Sequence, residues 1–194
     1  MLNADAAFWD VGKSTSDESG AIMETICKQR FREACEEIVN AERSQNGIGT
    51  LGEKTLHAVI KLYLEPDKTK HEIRIGAYVA DIVTDDGIIE IQTRAFNQLR
   101  NKLAVFLETY AVTLVYPIPR TKWLIWIDQP TGENASLGSN APLEGVKKKR
   151  KSPKRGQIHD AIPELYKIKS LLDHPNLHLC IILVDIEEYR YLNG

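Results

Sequence analysis

The sequence predicts an α/β protein in which a central mixed β-sheet is flanked by helices. Apolar segments of strand length alternate with segments whose apolar residues recur at helical spacing, and this alternation is the main basis of the prediction. The chain of 194 residues is long enough for a substantial core, and no internal repeat or low-complexity linker divides it. We therefore expect one domain over residues 21–194, preceded by a loosely ordered N-terminal arm over residues 1–20.

Two helices come first. Residues 21–45 carry apolar residues at roughly helical spacing, with Arg and Glu pairs between them. The glycine-containing residues 45–49 break that pattern, and a second apolar stripe ends before Pro66. Thr50 and Glu53 fit a capping box at the start of this second helix, in which Glu53 satisfies a backbone N–H. Glu53 also projects from the inward face of the helix, so a role above the sheet stays open.

Three strands are expected next, and a helix then leads to a fourth. The apolar patterns predict strands at His71–Gly76, Ala77–Thr84 and Ile88–Thr93. A helix over residues 96–110 follows, and the fourth strand is Val112–Pro117. A strand–helix–strand connection of this kind is a crossover, so the third and fourth strands are predicted to be parallel.

The remaining residues, 118–194, are expected to extend this core. The sequence predicts a fifth strand at Trp123–Ile127 and a long polar loop over residues 129–157. A helix at Ala161–Leu172 and a final apolar strand at His178–Ile186 complete the chain.

Composition limits the classes of function. The net charge is −2, so the field of the whole protein gives no sign of nucleic-acid binding. No apolar run approaches the roughly 20 residues that a bilayer span needs, and the N-terminus lacks a signal-peptide pattern. Cys27, Cys35 and Cys180 have neither CxxC nor zinc-ligand spacing, which predicts a reducing, cytoplasmic location. None of the five histidines has metal-ligand spacing, and we assign them no role.

The predicted hairpin over residues 76–93 holds the most informative side chains. Asp81 and Glu90 each interrupt an apolar strand, where a carboxylate is costly unless it is paired or binds a metal. A two-residue turn at residues 86–87 would place Asp81 opposite Gln92, with Glu90 one diagonal step away. The two acids would then be close enough to coordinate one cation. A register slip of one residue would send Glu90 to the other face of the sheet.

Two alternatives without a metal stay open for these acids. The hairpin could lie at an exposed edge of the sheet, with both carboxylates in water. The protein could also be a purely structural α/β domain in which the acids pair with nearby arginines such as Arg74 or Arg94.

The order of these elements resembles the core of the PD-(D/E)xK nuclease superfamily, which includes many restriction endonucleases, archaeal Holliday-junction resolvases and phage exonucleases. That family carries an acid on its first helix, an Asp at the end of one strand and (D/E)-x-K on the next. Here the helix acid is Glu53 and the strand Asp is Asp81. The second motif is Glu90-x-Gln92, with glutamine at the family's lysine position. The resemblance covers residues 48–117 and implies a restriction-endonuclease-like core of order α-β-β-β-α-β.

This resemblance implies a divalent-metal-dependent nuclease that hydrolyses DNA phosphodiester bonds with Mg²⁺ or Mn²⁺. Asp81, Glu90 and the backbone carbonyl of Ile91 would hold the metal, and Glu53 would reach it or a bound water. Gln92 would position the attacking water. Nucleases of this kind often form homodimers, so a homodimer is one assembly that the resemblance implies.

The glutamine is the main departure from the family pattern. Gln92 can hydrogen-bond a water molecule but brings no positive charge. Arg100 and Lys102, on the following helix, are the local candidates to replace the lysine. The alternative function is a catalytically inactive, nuclease-like domain that binds nucleic acid or protein.

A basic run within the polar loop is the predicted DNA-binding segment. It concentrates seven positive charges at Lys147, Lys148, Lys149, Arg150, Lys151, Lys154 and Arg155. Each could neutralise a backbone phosphate and displace counterions. The alternatives are a solvated mobile loop and a chance match to a nuclear-import type of signal.

Overall fold

The protein has an α/β fold, as predicted, with a mixed sheet between helices. The structure, a computed structural model, describes residues 2–8, 27–38, 41, 53–127 and 146–191. Within these residues the sheet has seven strands. The helices and strands, in chain order, are β1 (Leu2–Phe8), α1 (27–38), α2 (Glu53–Leu64), β2 (His71–Ile75), β3 (Tyr78–Thr84), β4 (Gly87–Ile91), α3 (Arg100–Leu107), β5 (Val112–Ile127), β6 (Val146–Lys151), α4 (Ile162–Tyr166) and β7 (Leu177–Tyr191).

The sheet is antiparallel at both sides and parallel in its centre. Its strand order is β1-β7-β5-β4-β3-β2, and β6 pairs with β5 outside this path. Strands β2, β3 and β4 are antiparallel neighbours, whereas β4 and β7 both run parallel to β5. The predicted crossover from β4 through α3 to β5 is therefore present, and the order α2-β2-β3-β4-α3-β5 is the predicted one.

Two apolar cores hold the sheet from its two faces. Phe31 on α1 and Ile60 on α2 pack with the buried strand residue Ile91 on one face. Leu103 and Phe106 on α3 pack beneath the other face. All five side chains are almost completely buried. Because α2 and α3 cover opposite faces, side chains from both helices can reach the middle of the β3–β4 hairpin.

The two ends of the chain differ from the predictions. Leu2–Phe8 forms β1 and pairs antiparallel with β7, so the expectation of a loosely ordered arm is wrong for these residues. Residues 9–20 lie outside the described part of the chain. The predicted helix at Ala161–Leu172 is broken into the short α4 and flanking 3₁₀ turns. At the C-terminus, β7 is longer than the predicted strand.

The polar loop prediction is also wrong in part, because Val146–Lys151 forms the strand β6. Its backbone pairs antiparallel with the second half of β5, from Trp123 to Ile127. Lysine and arginine have no intrinsic preference for strands, so pairing with β5 determines this conformation. Residues 129–145 lie outside the described part of the chain.

The predicted fourth and fifth strands are one continuous strand, β5, although it contains two prolines. The carbonyl groups of Val115 and Pro119 accept hydrogen bonds from Gln92 and Gly156 on the same side of β5. Pro117 is midway between them, so its nitrogen points toward the same side. At this level of β5 the strand β4 has already ended, and the segment that ends at Gly156 pairs only with later residues of β5. A strand tolerates proline where no partner needs the missing N–H, and this explains the continuity.

Candidate active site

The β3–β4 turn places the two strand acids directly opposite each other. Thr84 pairs with Gly87, so the turn is formed by residues 85–86 rather than by the predicted residues 86–87. Gly87 has φ +136°, and a Cβ there would meet the Ala111 carbonyl oxygen at 2.3 Å, so only glycine fits. This one-residue difference sets Asp81 opposite Glu90 instead of Gln92.

The two strands separate at these acids, and the carboxylates occupy the gap. Regular pairing of β3 with β4 extends only as far as Ile82 with Ile89. Beyond it, the Ile91 N–H donates to Asp81 Oδ2 at 2.8 Å, and the Asp81 N–H donates to Glu90 Oε1 at 3.1 Å. Each carboxylate therefore replaces part of the strand ladder, which satisfies buried backbone donors and fixes both side chains.

The other edge of β3 is irregular at the same level. Pairs flank this position at His71 with Ile82 and at Ile73 with Ala80, and Glu72 between them has φ +53°. A left-handed conformation at a residue other than glycine costs roughly 1–2 kcal/mol. Backbone strain of this kind concentrates at functional sites, so its position opposite the acid pair supports a functional reading.

Each acid has a basic partner from a different helix. His57 Nε2, on α2, lies 3.2 Å from Asp81 Oδ2, and Lys102 Nζ, on α3, lies 2.5 Å from Glu90 Oε2. The structural alternative expected nearby arginines such as Arg74 or Arg94 as partners, and the described partners are His57 and Lys102. Arg100, the other candidate to replace the family lysine, instead donates to the Lys167 carbonyl at 2.7 Å.

The acids differ in ionisation because they differ in surroundings. Glu90 is 1% exposed, and burial together with the charge of Asp81 raises its pKa to about 7 against the opposing effect of Lys102. Burial also acts to raise the pKa of Asp81, but the hydrogen bonds from His57 and the Ile91 N–H and the charge of Lys102 lower it below its usual range. One carboxylate is therefore ionised near neutral pH, while the other readily holds a proton.

A groove with a volume of about 410 Å³ lies on the α2 side of this acid pair. His57 and Ile91 line the groove and also contact Asp81, so they connect the groove to the acids. Gln92 lines the groove too, and its side-chain amide donates to the Arg94 carbonyl. The full lining is Lys54, His57, Ala58, Lys61, Glu72, Ile91, Gln92 and Thr93.

Glu164 on α4 fixes the turn that joins the groove to α3. Its carboxylate accepts the Phe96 N–H at 2.9 Å, next to Ala95 at φ +57°, and so caps the helical segment that leads to Lys102. Lys167 pairs with the same carboxylate. This long-range cap sets the direction in which α3 presents Lys102 to Glu90.

The predicted residues are brought together to different degrees. Asp81 and Glu90 meet in the gap, and Gln92 lies at the groove. Helix α2 begins at Glu53, whose side chain lies outside the described part of the structure, so its predicted role stays a prediction. The predicted role of the Ile91 carbonyl is likewise untested, because only its N–H has a described bond to the acids.

Sequence reasoning missed the basic residues on α2. Lys54, His57 and Lys61 are spaced three and four apart, which places them on one helical face, and all three line the groove. His57 also follows Glu53 by one helical turn. A search for polar residues on the helical face that carries Glu53 would have found this set.

The oxygen atoms of Asp81 and Glu90 could supply some of the ligands that a hard cation needs. Among the side chains that the structure describes, no group of three or more His, Cys, Asp or Glu residues converges as a metal cluster. Asp81 and Glu90 supply two carboxylates, and Mg²⁺ commonly binds proteins through one or two carboxylates together with water and phosphate oxygens. The ammonium of Lys102 already lies against Glu90, so a metal ion would have to replace it there.

The basic run forms an exposed edge. Lys148, Lys149, Arg150 and Lys151 of β6 are all exposed, as are Lys154 and Arg155 after it. The side chain of Lys147 lies outside the described part of the structure. Lys149 pairs with Glu187 at 2.9 Å, and Lys148 Nζ lies 5.8 Å from the centre of the Trp126 ring.

Among the described residues, no helix is long and apolar enough to cross a membrane.

The acid pair, the groove and the basic strand all lie within a region shared with known sequences. The chain belongs to the family described as Domain of unknown function (DUF8091), whose model matches residues 54–194. It is 30% identical over 141 residues to a Treponema pallidum (strain Nichols) protein named "Uncharacterized protein". The alignment covers 72% of this chain and 51% of that relative, so the chain spans about half the length of the curated relative. No solved structure matches the chain.

Proposed function

We propose that this protein is a divalent-metal-dependent nuclease that hydrolyses DNA phosphodiester bonds, built on a restriction-endonuclease-like core. The supporting observation is the separation of β3 and β4 at Asp81 and Glu90, which holds two carboxylates in a gap beside a groove. The order α-β-β-β-α-β is the one that the family resemblance implies, and the parallel pairing of β4 with β5 is the one expected from the crossover between them.

Asp81 and Glu90 would hold Mg²⁺ or Mn²⁺, with Glu53 as a further oxygen donor on α2. When bound, such an ion makes water a better nucleophile and stabilises negative charge on the phosphate. Because Glu90 readily holds a proton and pairs with Lys102, loading the site requires Glu90 to lose its proton and Lys102 to move aside.

The remaining residues have roles that follow from their contacts. His57 holds Asp81 in place through its ring nitrogen, and Lys102 supplies the positive charge that Gln92 lacks. Lys54 lines the groove and would bind phosphate oxygens of the substrate, whereas Lys61, which also lines it, pairs with Glu72 at 2.7 Å. Gln92, at the groove, would orient a water molecule through its amide.

The proposal is tested with purified protein on plasmid, linear and branched DNA, with Mg²⁺ or Mn²⁺. Asp81→Asn should lower cleavage by about a hundredfold or more and abolish Mn²⁺ binding in calorimetry, because it removes a charged ligand. Asp85→Asn is the matched control, since Asp85 lies in the exposed turn of the same hairpin and should retain both properties. Failure of the wild-type protein to cut any of these substrates would contradict the proposal.

A second candidate is a nuclease-like domain that binds nucleic acid without cleaving it. Two contacts favour it: Lys102 neutralises Glu90, and the amide of Gln92 is engaged by the Arg94 carbonyl. This candidate predicts DNA binding without a calorimetric signal for Mn²⁺. A Mn²⁺ signal that is lost in Asp81→Asn would exclude it.

A further inference from the structure

The basic segment and the acid pair lie on the same side of the central strand β5. Gln92, at the end of β4, donates its backbone N–H to the Val115 carbonyl at 2.9 Å. Four residues further along β5, Gly156 donates to the Pro119 carbonyl at 3.0 Å, and Ser152 then donates to the Lys122 carbonyl at 2.7 Å. The chain from Gly156 back through β6 therefore continues the position of β4 in the sheet.

This arrangement fixes the separation of the two charged regions. With a rise of about 3.3 Å per residue, Pro119 lies about 13 Å from Val115 along β5. Trp126, which pairs with Lys148 in β6, lies about 36 Å from Val115 on the same scale. A ligand that touches the groove and the whole basic segment must therefore extend for roughly 36 Å.

Gly156 keeps the basic segment against β5. A Cβ at this position would meet the Pro119 carbonyl oxygen at 2.4 Å and Ile118 Cγ2 at 2.6 Å. Only glycine allows this close approach, so the backbone of the segment is held against the strand at Gly156. The exposed cations Lys154 and Arg155 therefore lie between two points of attachment to β5, at Ser152 and Gly156.

The spacing of these cations suits a nucleic-acid backbone. Lys148 and Arg150 point to one face of β6, and Lys149 and Lys151 to the other, because side chains alternate along a strand. Cations on one face are therefore about 6.6 Å apart, close to two steps of the roughly 3.4 Å of helix axis per phosphate of one DNA strand.

Acidic residues near β6 define the direction of approach. Asp185, Glu187 and Glu188 belong to β7, which lies on the opposite side of β5 from β6. Lys149 of β6 pairs with Glu187 across β5. Its neighbour Arg150 points to the other face of β6, where its side chain is exposed. The three acids each pair with a cation, Arg120, Lys149 or Lys122, so a polyanion is attracted to the outer edge of β6 rather than to the β7 side.

We infer that one nucleic-acid molecule binds along β6 and the chain up to Gly156 while a phosphodiester group of the same molecule lies at the groove beside Asp81. The inference rests on the proposed function and specifies its substrate. The substrate is a strand or duplex of about ten nucleotides or more, since roughly 36 Å corresponds to about eleven phosphate steps. A mononucleotide or dinucleotide reaches only one of the two regions.

The test is fluorescence anisotropy in EDTA with labelled DNA of about 4, 8, 12 and 20 nucleotides, in single-stranded and duplex form. Affinity should rise at least about tenfold between the shortest and the 12-nucleotide probes and then level off. Separate titrations of the two forms identify which of them the edge prefers. Equal affinity for all lengths of both forms would overturn the inference.

A charge-reversal variant, Arg150→Glu with Lys154→Glu, locates the contact. It should weaken binding of the 12-nucleotide probe by about tenfold or more and reduce the salt dependence of log K by about one to two units. Lys169→Glu is the matched control, because Lys169 is exposed on a different part of the surface and should bind like wild type. The glutamine versions of the two substitutions replace the reversal if that variant does not melt cooperatively. Equal losses in the variant and the control would overturn the inference.

The outcomes separate this inference from the nuclease proposal. Length-dependent binding without cleavage under any metal condition would contradict the nuclease proposal but would leave the inferred binding along the basic segment intact. If the charge-reversal variant cleaves long DNA with the wild-type rate and affinity, the nuclease proposal stands and the inferred binding along the basic segment is overturned.

Discussion

The acid pair and β6 use charge in opposite ways within one sheet. Asp81 and Glu90 are held in the interior, where backbone donors, His57 and Lys102 compensate their charge. The cations of β6 lie on an exposed edge, where water already compensates them. Buried charge must therefore be matched atom by atom, whereas exposed charge is available for a partner.

This difference also separates the expected consequences of mutation. Removing one member of a buried pair leaves an uncompensated charge, which commonly costs about 3–5 kcal/mol. Removing one member of an exposed pair changes stability by about 0–1 kcal/mol. Substitutions that remove the same charge should therefore reduce protein stability much more at the acid pair than on β6.

The largest effect is expected for Lys102→Met, which leaves Glu90 without its partner. At pH 8 the variant should lose about 3 kcal/mol, or roughly 6–12 °C in melting temperature. At pH 5 the loss should be smaller, because Glu90 then carries a proton and has no negative charge left unpaired. Lys122→Met removes the partially exposed partner of Glu188 and is the matched control, with about 1 kcal/mol or less at either pH. Equal losses for both variants in calorimetric melts would remove the contrast.

Glu90→Gln should flatten the pH dependence of stability. The pKa of Glu90 is about 7 in the folded protein and near 4.3 in an unfolded chain, so the folded state binds more protons between these values. The free energy of unfolding of the wild type therefore decreases as pH rises through this window. The melting temperature should fall by several degrees as a result. The variant should show a smaller decrease between pH 5 and 8. The exposed control Glu108→Gln should keep the wild-type slope, and an unchanged slope in Glu90→Gln would contradict the assignment.

Gly156→Ala should have an intermediate effect. The added methyl group would meet the Pro119 carbonyl oxygen at 2.4 Å, and relieving such a clash typically costs about 1–3 kcal/mol. Ser152→Ala, in the same segment, adds no atoms and should change stability by less than about 1 kcal/mol. Thermal melts compare the two, and equal stability of Gly156→Ala and wild type would show that the segment can leave β5 at no cost.

The smallest effect is expected for Lys149→Met. This substitution removes an exposed pair with Glu187 and a cation–π contact 5.0 Å from the Trp123 ring centre. Stability should change by less than about 1 kcal/mol, while the affinity for a 12-nucleotide DNA probe should fall severalfold. Chemical denaturation and anisotropy measure the two quantities separately. A stability loss as large as that of Lys102→Met would contradict the distinction between the two regions.

The fold was predictable where local pattern and tertiary structure agree. The order of α2 and the three antiparallel strands follows from apolar periodicity, and the crossover through α3 follows from chain connectivity. The strand β6 was not predictable in this way, because a lysine-rich run gives no apolar alternation and becomes a strand only beside β5. Likewise, Pro117 suggested a strand end, and only the unpaired side of β5 explains why the strand continues.

The site was predictable for the acids and not for their partners. Asp81 and Glu90 stand out because each interrupts an apolar strand, which is a local signal. His57 and Lys102 come from helices on opposite faces of the sheet, and their contacts depend on helix packing that no local pattern specifies. The turn was misplaced by one residue, which shifts the position opposite Asp81 by two, because Asp86-Gly87 is a common turn pair, whereas Ala111 restricts position 87 from outside the hairpin.

The pairing of β1 with β7 has a consequence for the order of folding. Leu2 pairs with Ile186, so β1 finds its partner only after the distant strand β7 has been made. Contacts between such distant residues form slowly, because a very long loop must close before they stabilise anything. Until then the apolar edge of β7 lacks its cover and can recruit strands from other molecules. We expect late amide protection of residues 2–8 in pulsed hydrogen exchange, and a refolding protein that is most prone to self-association just before β1 pairs with β7.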